Sequence, residues 1–319
     1  MAHRESLQRP LGLIAELTHR CPLACAYCSN PVALERHEDE IDLATWVRIF
    51  AEAAALGVPQ VHLSGGEPGA RRDLVEIAAS AREAGLYTRL ITAGAGISTR
   101  TMRDLWEAGL HEVQVSFQDA DAVSGDHIAG RKGTFQRKHA VAAEVARLGL
   151  TLTISMVVHR GNVARIGEMV NVALALNASR IEFVPLQDRG WARSNRAALA
   201  PSGAEMQAAE MQVEALRRIH DARIAIEVAA ACCSENSGPS WLHVTPSGRV
   251  LPCHGVESLA DAEAWNVRAH SLHEIWSSLR AVPTQHSDML LVRVANEPFD
   301  VAGAVYQYRR QADAVSVVR

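Results

Sequence analysis

The chain has 319 residues, 48% of them hydrophobic, and a formal net charge of −4 at pH 7. This length accommodates one large α/β domain with a small addition, and the scattered basic residues give no support for nucleic-acid binding. No apolar run is long enough to span a bilayer, and residues 1–5 lack the apolar core of a secretory signal. We therefore expect a cytoplasmic protein whose cysteines stay reduced and available to a metal.

Short apolar segments alternate with segments of helical periodicity along most of the chain. The predicted strands cover residues 11–18, 61–64, 87–92, 113–117, 151–158 and 180–184. The predicted helices cover residues 42–56, 71–84, 99–108, 133–148, 163–176 and 201–221, and each of the first four is followed by a glycine. Six such alternations predict an α/β fold, a partial (β/α)6 TIM-like barrel with its functional residues at the carboxyl ends of the strands.

The loop after the first predicted strand carries three cysteines spaced Cys-X3-Cys-X2-Cys, at Cys21, Cys25 and Cys28, with Tyr27 directly before the third. An iron–sulfur cube normally takes four cysteine ligands, so a trio with no fourth cysteine nearby leaves one iron open for catalysis. A Cys3His zinc site with His19 is a weaker alternative, because zinc ligands usually come as two separated pairs. Buried cysteines that hold no metal are a weaker alternative still.

The second predicted strand ends at Gly65-Gly66-Glu67. Together with the cysteine loop, in this order and at this spacing, the segment resembles the radical S-adenosylmethionine (SAM) enzymes. In that superfamily the three cysteines hold a [4Fe-4S] cluster, and its open iron binds the amino and carboxylate groups of SAM. The resemblance implies that Gly65 and Gly66 bring the backbone close to SAM and that the Glu67 carboxylate accepts hydrogen bonds from its ammonium group.

Other strand ends carry polar residues that match the superfamily less specifically. The resemblance implies that Ser116, Gln118 and Asp119, after the fourth strand, contact the ribose and carboxylate of SAM. His159, at the end of the fifth strand, corresponds to a position that often contacts SAM or substrate. For each of these residues, the start of a solvated loop is the alternative.

Two further features are weaker candidates for contacts with SAM. Tyr27 is expected to place its backbone, and its ring, against the adenine. Thr92 and Gly94, at the end of the third strand, are candidates for contacting the methionine carboxylate, although a simple strand end is an equally good interpretation.

Within the superfamily, the chain resembles the PqqE family, the PqqA peptide cyclases of pyrroloquinoline quinone biosynthesis, over about residues 10–278. The resemblance lies in residues 13–31, 62–68, 113–118 and 190–196, of which the last segment is the most specific to the family. In that segment Trp191, beside Asn195 and Arg196, either lines a channel for a peptide or packs a loop onto the barrel.

The resemblance implies an oxidoreductase that acts on a peptide. One electron from the cluster splits SAM into methionine and a 5′-deoxyadenosyl radical, which abstracts hydrogen from a glutamate side chain of the precursor peptide PqqA. The carbon radical then joins a tyrosine ring, with loss of an electron and a proton. The implied partners are PqqA, the carrier protein PqqD and an electron donor such as flavodoxin, with no nucleic acid and no membrane. No side chain is expected to act as a catalytic acid or base.

The resemblance weakens in the C-terminal third. The family ends in a SPASM domain with auxiliary clusters, and Cys233, Gly248 and Cys253 reproduce its opening pattern around a hairpin turn predicted at residues 246–248. No cysteine follows Cys253, and two or three thiolates cannot complete two auxiliary clusters. A pair of buried structural cysteines is the alternative interpretation.

These patterns predict three parts of the chain: a core barrel over residues 1–225, an incomplete SPASM-like region over 226–278, and a tail over 279–319 that resembles no part of the family. A change of reading frame near residues 277–279 is one hypothesis for the tail. Three functions remain open: a PqqA peptide cyclase, another SPASM-type radical SAM enzyme that modifies peptides, and a non-catalytic peptide-binding remnant without auxiliary clusters.

Overall fold

The computed structural model of the protein describes residues 9–229, 241–251 and 265–281. Within these ranges one sheet contains the strands β1 (Gly12–Glu16), β2 (Gln60–Ser64), β3 (Tyr87–Thr92), β4 (Glu112–Phe117), β5 (Thr151–Val158), β6 (Arg180–Pro185), β7 (Ala225–Val228), β8 (Trp241–Val244) and β9 (Val250–Leu251). Their order is β7-β6-β5-β4-β3-β2-β1-β8-β9. All neighbours are parallel except β8 and β9. The six predicted strands are therefore confirmed as neighbours in a parallel sheet.

The described residues also contain the helices α1 (Leu43–Ala55), α2 (Leu74–Glu83), α3 (Thr99–Glu107), α4 (Ala122–Ala129), α5 (Thr134–Arg147), α6 (Ile166–Ala175), α7 (Gly190–Ser194), α8 (Arg196–Leu199), α9 (Gly203–His220) and α10 (Leu272–Ala281). Six of them correspond to the predicted helices, with ends that differ by a few residues. The helix predicted over 163–176 begins with a 3-10 turn, Val163–Arg165, before α6. Helices α4, α7, α8 and α10 have no counterpart among the predicted elements.

Capping side chains fix where several helices begin. The Asp42 carboxylate accepts a hydrogen bond from the backbone of the first turn of α1 at 2.9 Å, and the Ser98 hydroxyl does the same for α3 at 3.0 Å. At α9, Ser202 and Glu205 form a reciprocal capping box. Each cap satisfies a backbone N–H that has no partner inside its helix.

The sheet has one apolar and one polar face. Along β2, Val61 and Leu63 are fully buried and alternate with the half-buried His62 and Ser64, which is the period-two pattern of a strand. The apolar side chains join one core with the surrounding helices, in which Trp46 of α1 is fully buried. The helices thus cover one face and leave the polar face to the interior.

Ion pairs across the polar face show that the sheet is curved. Arg89 of β3 lies 3.1 Å from Glu112 of β4 and 3.1 Å from Glu182 of β6. In a flat sheet β3 and β6 would be about 14 Å apart, so a side chain that joins them requires the sheet to curl around its polar face. This curvature confirms the predicted partial barrel.

The C-terminal hairpin extends the same sheet. Strand β8 pairs in parallel with β1 and is followed by β9 in the antiparallel sense. In the turn between them Gly248 has φ +89° and its N–H donates to the Thr245 carbonyl at 2.9 Å, which confirms the predicted hairpin turn. Cys233 and Cys253, and all but the first three residues of the predicted tail, lie outside the described residues.

None of the helices in residues 9–229, 241–251 and 265–281 combines the length and the apolar character that crossing a membrane requires.

Candidate active site

The cysteine loop follows β1 and is held by a helix that the sequence patterns do not predict. Its cysteines, Cys21, Cys25 and Cys28, are half-buried free thiols. Between them the N–H groups of Ala24 and Ala26 donate to carbonyls at the end of α4, at 3.0 and 3.1 Å. These main-chain bonds fix the path of the loop, and with it the direction in which the three side chains leave the backbone.

The chemistry of the three thiols fits a metal cluster. Burial raises the pKa of the Cys28 thiol to about 12 and also raises the pKa of Cys21 and Cys25, and in Cys21 and Cys28 the neighbouring Cys25 adds to the effect. A thiol becomes a ligand only as the thiolate. In this environment, therefore, a cation must displace all three protons, as a metal does on binding.

The residues around the loop argue against a zinc site completed by His19. Nδ1 of His19 accepts from the Glu35 N–H at 2.9 Å, and Nε2 lies 3.4 Å from the Glu16 carboxylate. Both ring nitrogens thus have partners within the protein. No three His, Cys, Asp or Glu side chains in the described part of the chain gather closely enough to hold one metal ion. A four-iron cluster does not require the three sulfurs to approach one point, because each cysteine binds a different iron atom.

The loop is covered by the segment that is most specific to the family. A Cβ atom on Gly190 (φ +54°) would lie 2.2 Å from the Asn30 carbonyl oxygen, so only glycine fits there. The Ala192 N–H donates to the Cys28 carbonyl at 3.1 Å, and the Asn195 amide donates to the Ala26 carbonyl at 2.8 Å. Residues 190–196 therefore form the short helices α7 and α8 on the cysteine loop, where a loop was predicted.

Trp191 in this segment is 7% exposed. This burial favours the interpretation that the ring packs the segment onto the barrel over the interpretation that it lines an open channel.

The two glycines after β2 allow the backbone to cross the start of the cysteine loop. A Cβ atom on Gly65 (φ +126°) would lie 2.4 Å from the Thr18 carbonyl oxygen, and one on Gly66 would lie 2.6 Å from the carbonyl oxygens of His19 and Arg20. The Gly66 N–H donates to the Thr18 carbonyl at 2.7 Å. The close approach in this structure is thus between two segments of the protein, whereas the family resemblance implies a close approach to SAM.

Glu67 is fully buried and joins the ends of β2 and β3. Its carboxylate accepts from the Thr92 hydroxyl at 2.7 Å, the Ala93 N–H at 2.9 Å and the Gly69 N–H at 3.1 Å. Burial outweighs these bonds and raises the pKa of Glu67. Thr92 in turn accepts from the Gly94 N–H at 2.8 Å. The predicted bond from Glu67 to the SAM ammonium remains a prediction, with one carboxylate position left to make it.

Gln118, after β4, lies against the cysteine loop. Its Nε2 atom is 3.7 Å from Sγ of Cys25, and its Oε1 atom accepts from Nζ of Lys138 on α5. Lys138 is 1% exposed and also donates to the Ser116 carbonyl at 2.8 Å. Burial lowers the pKa of Lys138 to about 8, against the opposite influence of Cys25 and Glu67. Lys138 is not among the site residues predicted from the sequence.

One signal could have found it. The chain has 32 basic residues, and only Lys132 and Lys138 are lysines. Because an ammonium group and a planar guanidinium group are not interchangeable, a rare lysine in an arginine-rich chain is worth examining; of the two, Lys132 is exposed and Lys138 is buried.

His159 braces the backbone at Gln118. Its Nε2–H donates to the Gln118 carbonyl at 3.2 Å, and Nδ1 accepts from the Gly161 N–H at 3.1 Å. The Asn162 amide donates to the same carbonyl at 2.9 Å. Burial lowers the pKa of His159, which favours this neutral form. Because both nitrogens are engaged, the predicted contact with SAM or substrate would use the ring itself, whose centroid lies 5.8 Å from that of Tyr27.

Asp119 is fully buried and paired with Arg165. Nε of Arg165 donates to one carboxylate oxygen at 2.7 Å, and the Ser124 hydroxyl donates to the other at 2.5 Å. Burial alone would raise the pKa of Asp119, but these bonds hold it below its ordinary value. The carboxylate thus anchors the start of α4, and through α4 the cysteine loop, in addition to any part in the predicted contact with SAM.

The chain matches known proteins over most of its length. The sequence profile of the Radical SAM superfamily matches residues 15–173. A PqqA peptide cyclase of Methylocella silvestris is 50% identical over 275 residues, which cover 84% of this chain and 74% of that protein.

Solved structures share the fold at low sequence identity. The crystal structure of Streptococcus suis SuiB bound to S-adenosylmethionine is 18% identical, with a TM-score of 0.73 over 92% of this chain and 70% of that chain. SuiB bound to its precursor peptide SuiA gives a TM-score of 0.68 at 18% identity, over 87% of this chain and 68% of that chain.

Proposed function

The chain belongs to the PqqA peptide cyclase family of radical SAM enzymes, and we propose that it forms a carbon–carbon bond between a glutamate and a tyrosine of the peptide PqqA in pyrroloquinoline quinone biosynthesis. The observation that carries the proposal is the cysteine loop. Three free thiols lie on one loop at the carboxyl edge of a parallel barrel, held there by main-chain bonds to α4 and α7. The identity of 50% with a peptide cyclase supports the substrate.

Cys21, Cys25 and Cys28 would hold a [4Fe-4S] cluster. When bound, the cluster and SAM supply a one-electron cleavage whose radical product abstracts hydrogen from the substrate. The protein's own part is to hold the three sulfurs half-buried and to keep water away from the reacting atoms. The buried side chains of Glu67 and Gln118 at the same edge have fixed partners, so the walls of the site are preorganised before SAM enters.

The contacts proposed for SAM come from the family resemblance: Tyr27, Gly65, Gly66, Glu67, Ser116, Gln118 and His159. Their positions support this assignment. They lie at the carboxyl ends of β1, β2, β4 and β5, and these four strands, with β3 among them, are neighbours in the sheet. Ligands of parallel sheets bind at this edge. Several of these side chains already have protein partners, so we expect SAM to meet their backbone and their remaining surfaces.

The proposed partners are the peptide PqqA, the carrier protein PqqD and a one-electron donor such as flavodoxin. The identity of 50% with a PqqA peptide cyclase supports a peptide substrate. The match to a peptide-bound structure, SuiB with SuiA, supports the same class of substrate.

One observation favours a second candidate, a SAM-cleaving enzyme that does not complete the cross-link. This sequence contains three cysteines outside the loop, Cys232, Cys233 and Cys253, one fewer than the four ligands that an iron–sulfur cluster normally takes. The two candidates differ in what happens to the peptide after SAM is cleaved.

The test is a reaction of the reconstituted chain with SAM, PqqA, PqqD and a low-potential reductant under anaerobic conditions. Iron and sulfide per chain are measured first, then 5′-deoxyadenosine by chromatography and the peptide by mass spectrometry. A peptide lighter by two hydrogen atoms, cross-linked between glutamate and tyrosine, is the expected product. 5′-Deoxyadenosine with an unchanged peptide would support the second candidate, and no cleavage of SAM by an iron-loaded chain would overturn both.

A further inference from the structure

Lys138 is a fully buried cation within the proposed active site. It leaves α5 and ends between the Ser116 carbonyl and the Gln118 side chain. Both Cys25 and Glu67 act electrostatically on its ammonium group. Burial of an unpaired cation is costly, so a lysine that is 1% exposed needs the acceptors that Ser116 and Gln118 provide.

The lysine determines which way the Gln118 amide faces. An ammonium group only donates hydrogen bonds, so the amide must turn its oxygen toward Lys138. The amide nitrogen then faces Cys25, 3.7 Å from the sulfur. The backbone of Gln118 cannot swing away, because His159 and Asn162 both donate to its carbonyl. The orientation of the N–H group toward the sulfur is therefore fixed from two sides.

Cys25 differs from the other two cysteines in having an additional, side-chain donor. All three sulfurs receive a backbone N–H, that of Leu23 for Cys21, of Asn30 for Cys28 and of its own residue for Cys25. Cys25 also receives a side-chain donor from the end of β4, whose orientation depends on a residue of α5. This sulfur is thus sensitive to substitutions outside the loop.

We propose that Lys138 is a positioning residue that, through Gln118, holds an N–H···S hydrogen bond on Cys25 and so raises the reduction potential of the cluster. The inference rests on the proposed function in one respect, that Cys21, Cys25 and Cys28 hold the cluster. Hydrogen bonds to the sulfurs and a nearby positive charge both favour the reduced state, which carries one more negative charge. A cation held within the site thus makes the first electron easier to accept.

The test compares Lys138→Met and Gln118→Glu with the unaltered chain. Gln118→Glu keeps the size of the side chain and its partner Lys138 but removes the N–H donor. Lys132→Met is the matched control, since it replaces the chain's other, exposed lysine in the same way. Each protein is reconstituted, its iron and sulfide are measured, and the midpoint potential of the cluster is determined by redox titration followed by electron paramagnetic resonance, without SAM or peptide.

We expect both variants to keep the cluster with a more negative midpoint potential, Lys138→Arg to show a smaller shift, and Lys132→Met to show none. If Lys138→Met does not fold, Gln118→Met decides, because it removes the N–H donor without adding a charge. Midpoint potentials equal to that of the unaltered chain would overturn the inference and leave the proposed function intact. Loss of iron from both variants, with Lys132→Met fully loaded, would also overturn it, because the pair would then only support the fold. A chain that binds no iron at all would overturn both proposals.

Discussion

The cysteine loop is held from two sides, and the two sides use different physical means. On the barrel side the contacts are deeply buried: Glu67 and Lys138 are 0% and 1% exposed, and glycines allow backbone to touch backbone. On the hairpin side one contact is a partly exposed ion pair, in which Arg249 donates to the Glu35 carboxylate at 2.7 and 3.0 Å. That carboxylate also accepts from the Ser247 N–H at 2.7 Å.

The difference teaches where the site tolerates change. A buried contact leaves an unsatisfied group or a clash when one partner is altered, and this costs more than the contact itself contributes. Water replaces a lost partner at a partly exposed ion pair, so the cost there is graded. The barrel side should therefore respond sharply to substitution, and the hairpin side weakly. The following experiments test this contrast, from the largest expected effect to the smallest.

Replacement of a cysteine should abolish the activity. Cys21→Ala, Cys25→Ala or Cys28→Ala removes a ligand of the proposed cluster, so we expect no 5′-deoxyadenosine and a loss of bound iron, measured by chromatography and iron analysis. Ser29→Ala, beside Cys28, is the control and should retain both. SAM cleavage that persists in any of the cysteine variants would contradict the assignment of the loop.

Gly66→Ala should destabilise the buried contacts on the barrel side of the cysteine loop without any change of charge. The new Cβ atom would lie 2.6 Å from two backbone carbonyl oxygens, which cannot rotate away as a side chain would. We expect the free energy of unfolding to fall by about 1–3 kcal/mol, measured by urea denaturation. Gly203→Ala is the control, because a Cβ atom there meets nothing within 4 Å. Equal stability of the two variants would refute the crossing seen at Gly66.

Arg249→Met should weaken the hairpin side. It leaves the Glu35 carboxylate with the Ser247 N–H but without its cation. Because Arg249 is about one-third exposed (32%), we expect a loss of about 1–2 kcal/mol in the free energy of unfolding. Arg218→Met, which removes an exposed pair with Glu214 on α9, should cause no measurable change. A larger loss for Arg249→Met than for Gly66→Ala would reverse the contrast between the two sides.

The contribution of the same ion pair should depend on pH. Burial acts to raise the pKa of Glu35, but the hydrogen bonds from Arg249 and Ser247 hold it below its ordinary value of 4.5. A depressed carboxyl pKa stabilises the fold fully above the ordinary value, and this stabilisation disappears as the pH falls through the lowered pKa. The difference in unfolding free energy between the chain and Arg249→Met should therefore shrink below pH 4.5. A difference that stays constant would show that Glu35 does not titrate against Arg249.

The sequence predicts the parts of this architecture that local patterns encode. Periodicity predicts β1 to β6 and six of the helices, the spacing of Cys21, Cys25 and Cys28 predicts a metal site, and the resemblance to the radical SAM enzymes adds the glycines after β2. Helix α4 is not predicted, because Ala122–Ala129 has no clear apolar stripe. The ion pair between Asp119 and Arg165 is not predicted for another reason. The two residues belong to different elements, so no local spacing indicates that they meet.

The turn of the hairpin could be predicted from a local pattern, but its contacts with the rest of the chain could not. Glu35 and Arg249 are far apart in the chain and meet only because β8 pairs with β1. In the sequence Lys138 stands out only as one of two lysines, and its burial is evident only in the closed barrel. Local sequence patterns therefore indicate the cysteine motif itself but not the long-range contacts that orient it.

The position of β1 between β2 and β8 has a consequence for how the protein is made. On the ribosome β1 is synthesised early, but one of its edges stays unpaired until residues 241–244 have emerged. Trp241 then closes over Gly12, where a Cβ atom would lie 2.2 Å from the indole ring. Pairing the first strand with one of the last is a slow, non-local step. The fold around the cysteine loop is thus completed only after most of the chain has been synthesised, and until then the three thiols lack the partly buried environment that the folded protein gives them.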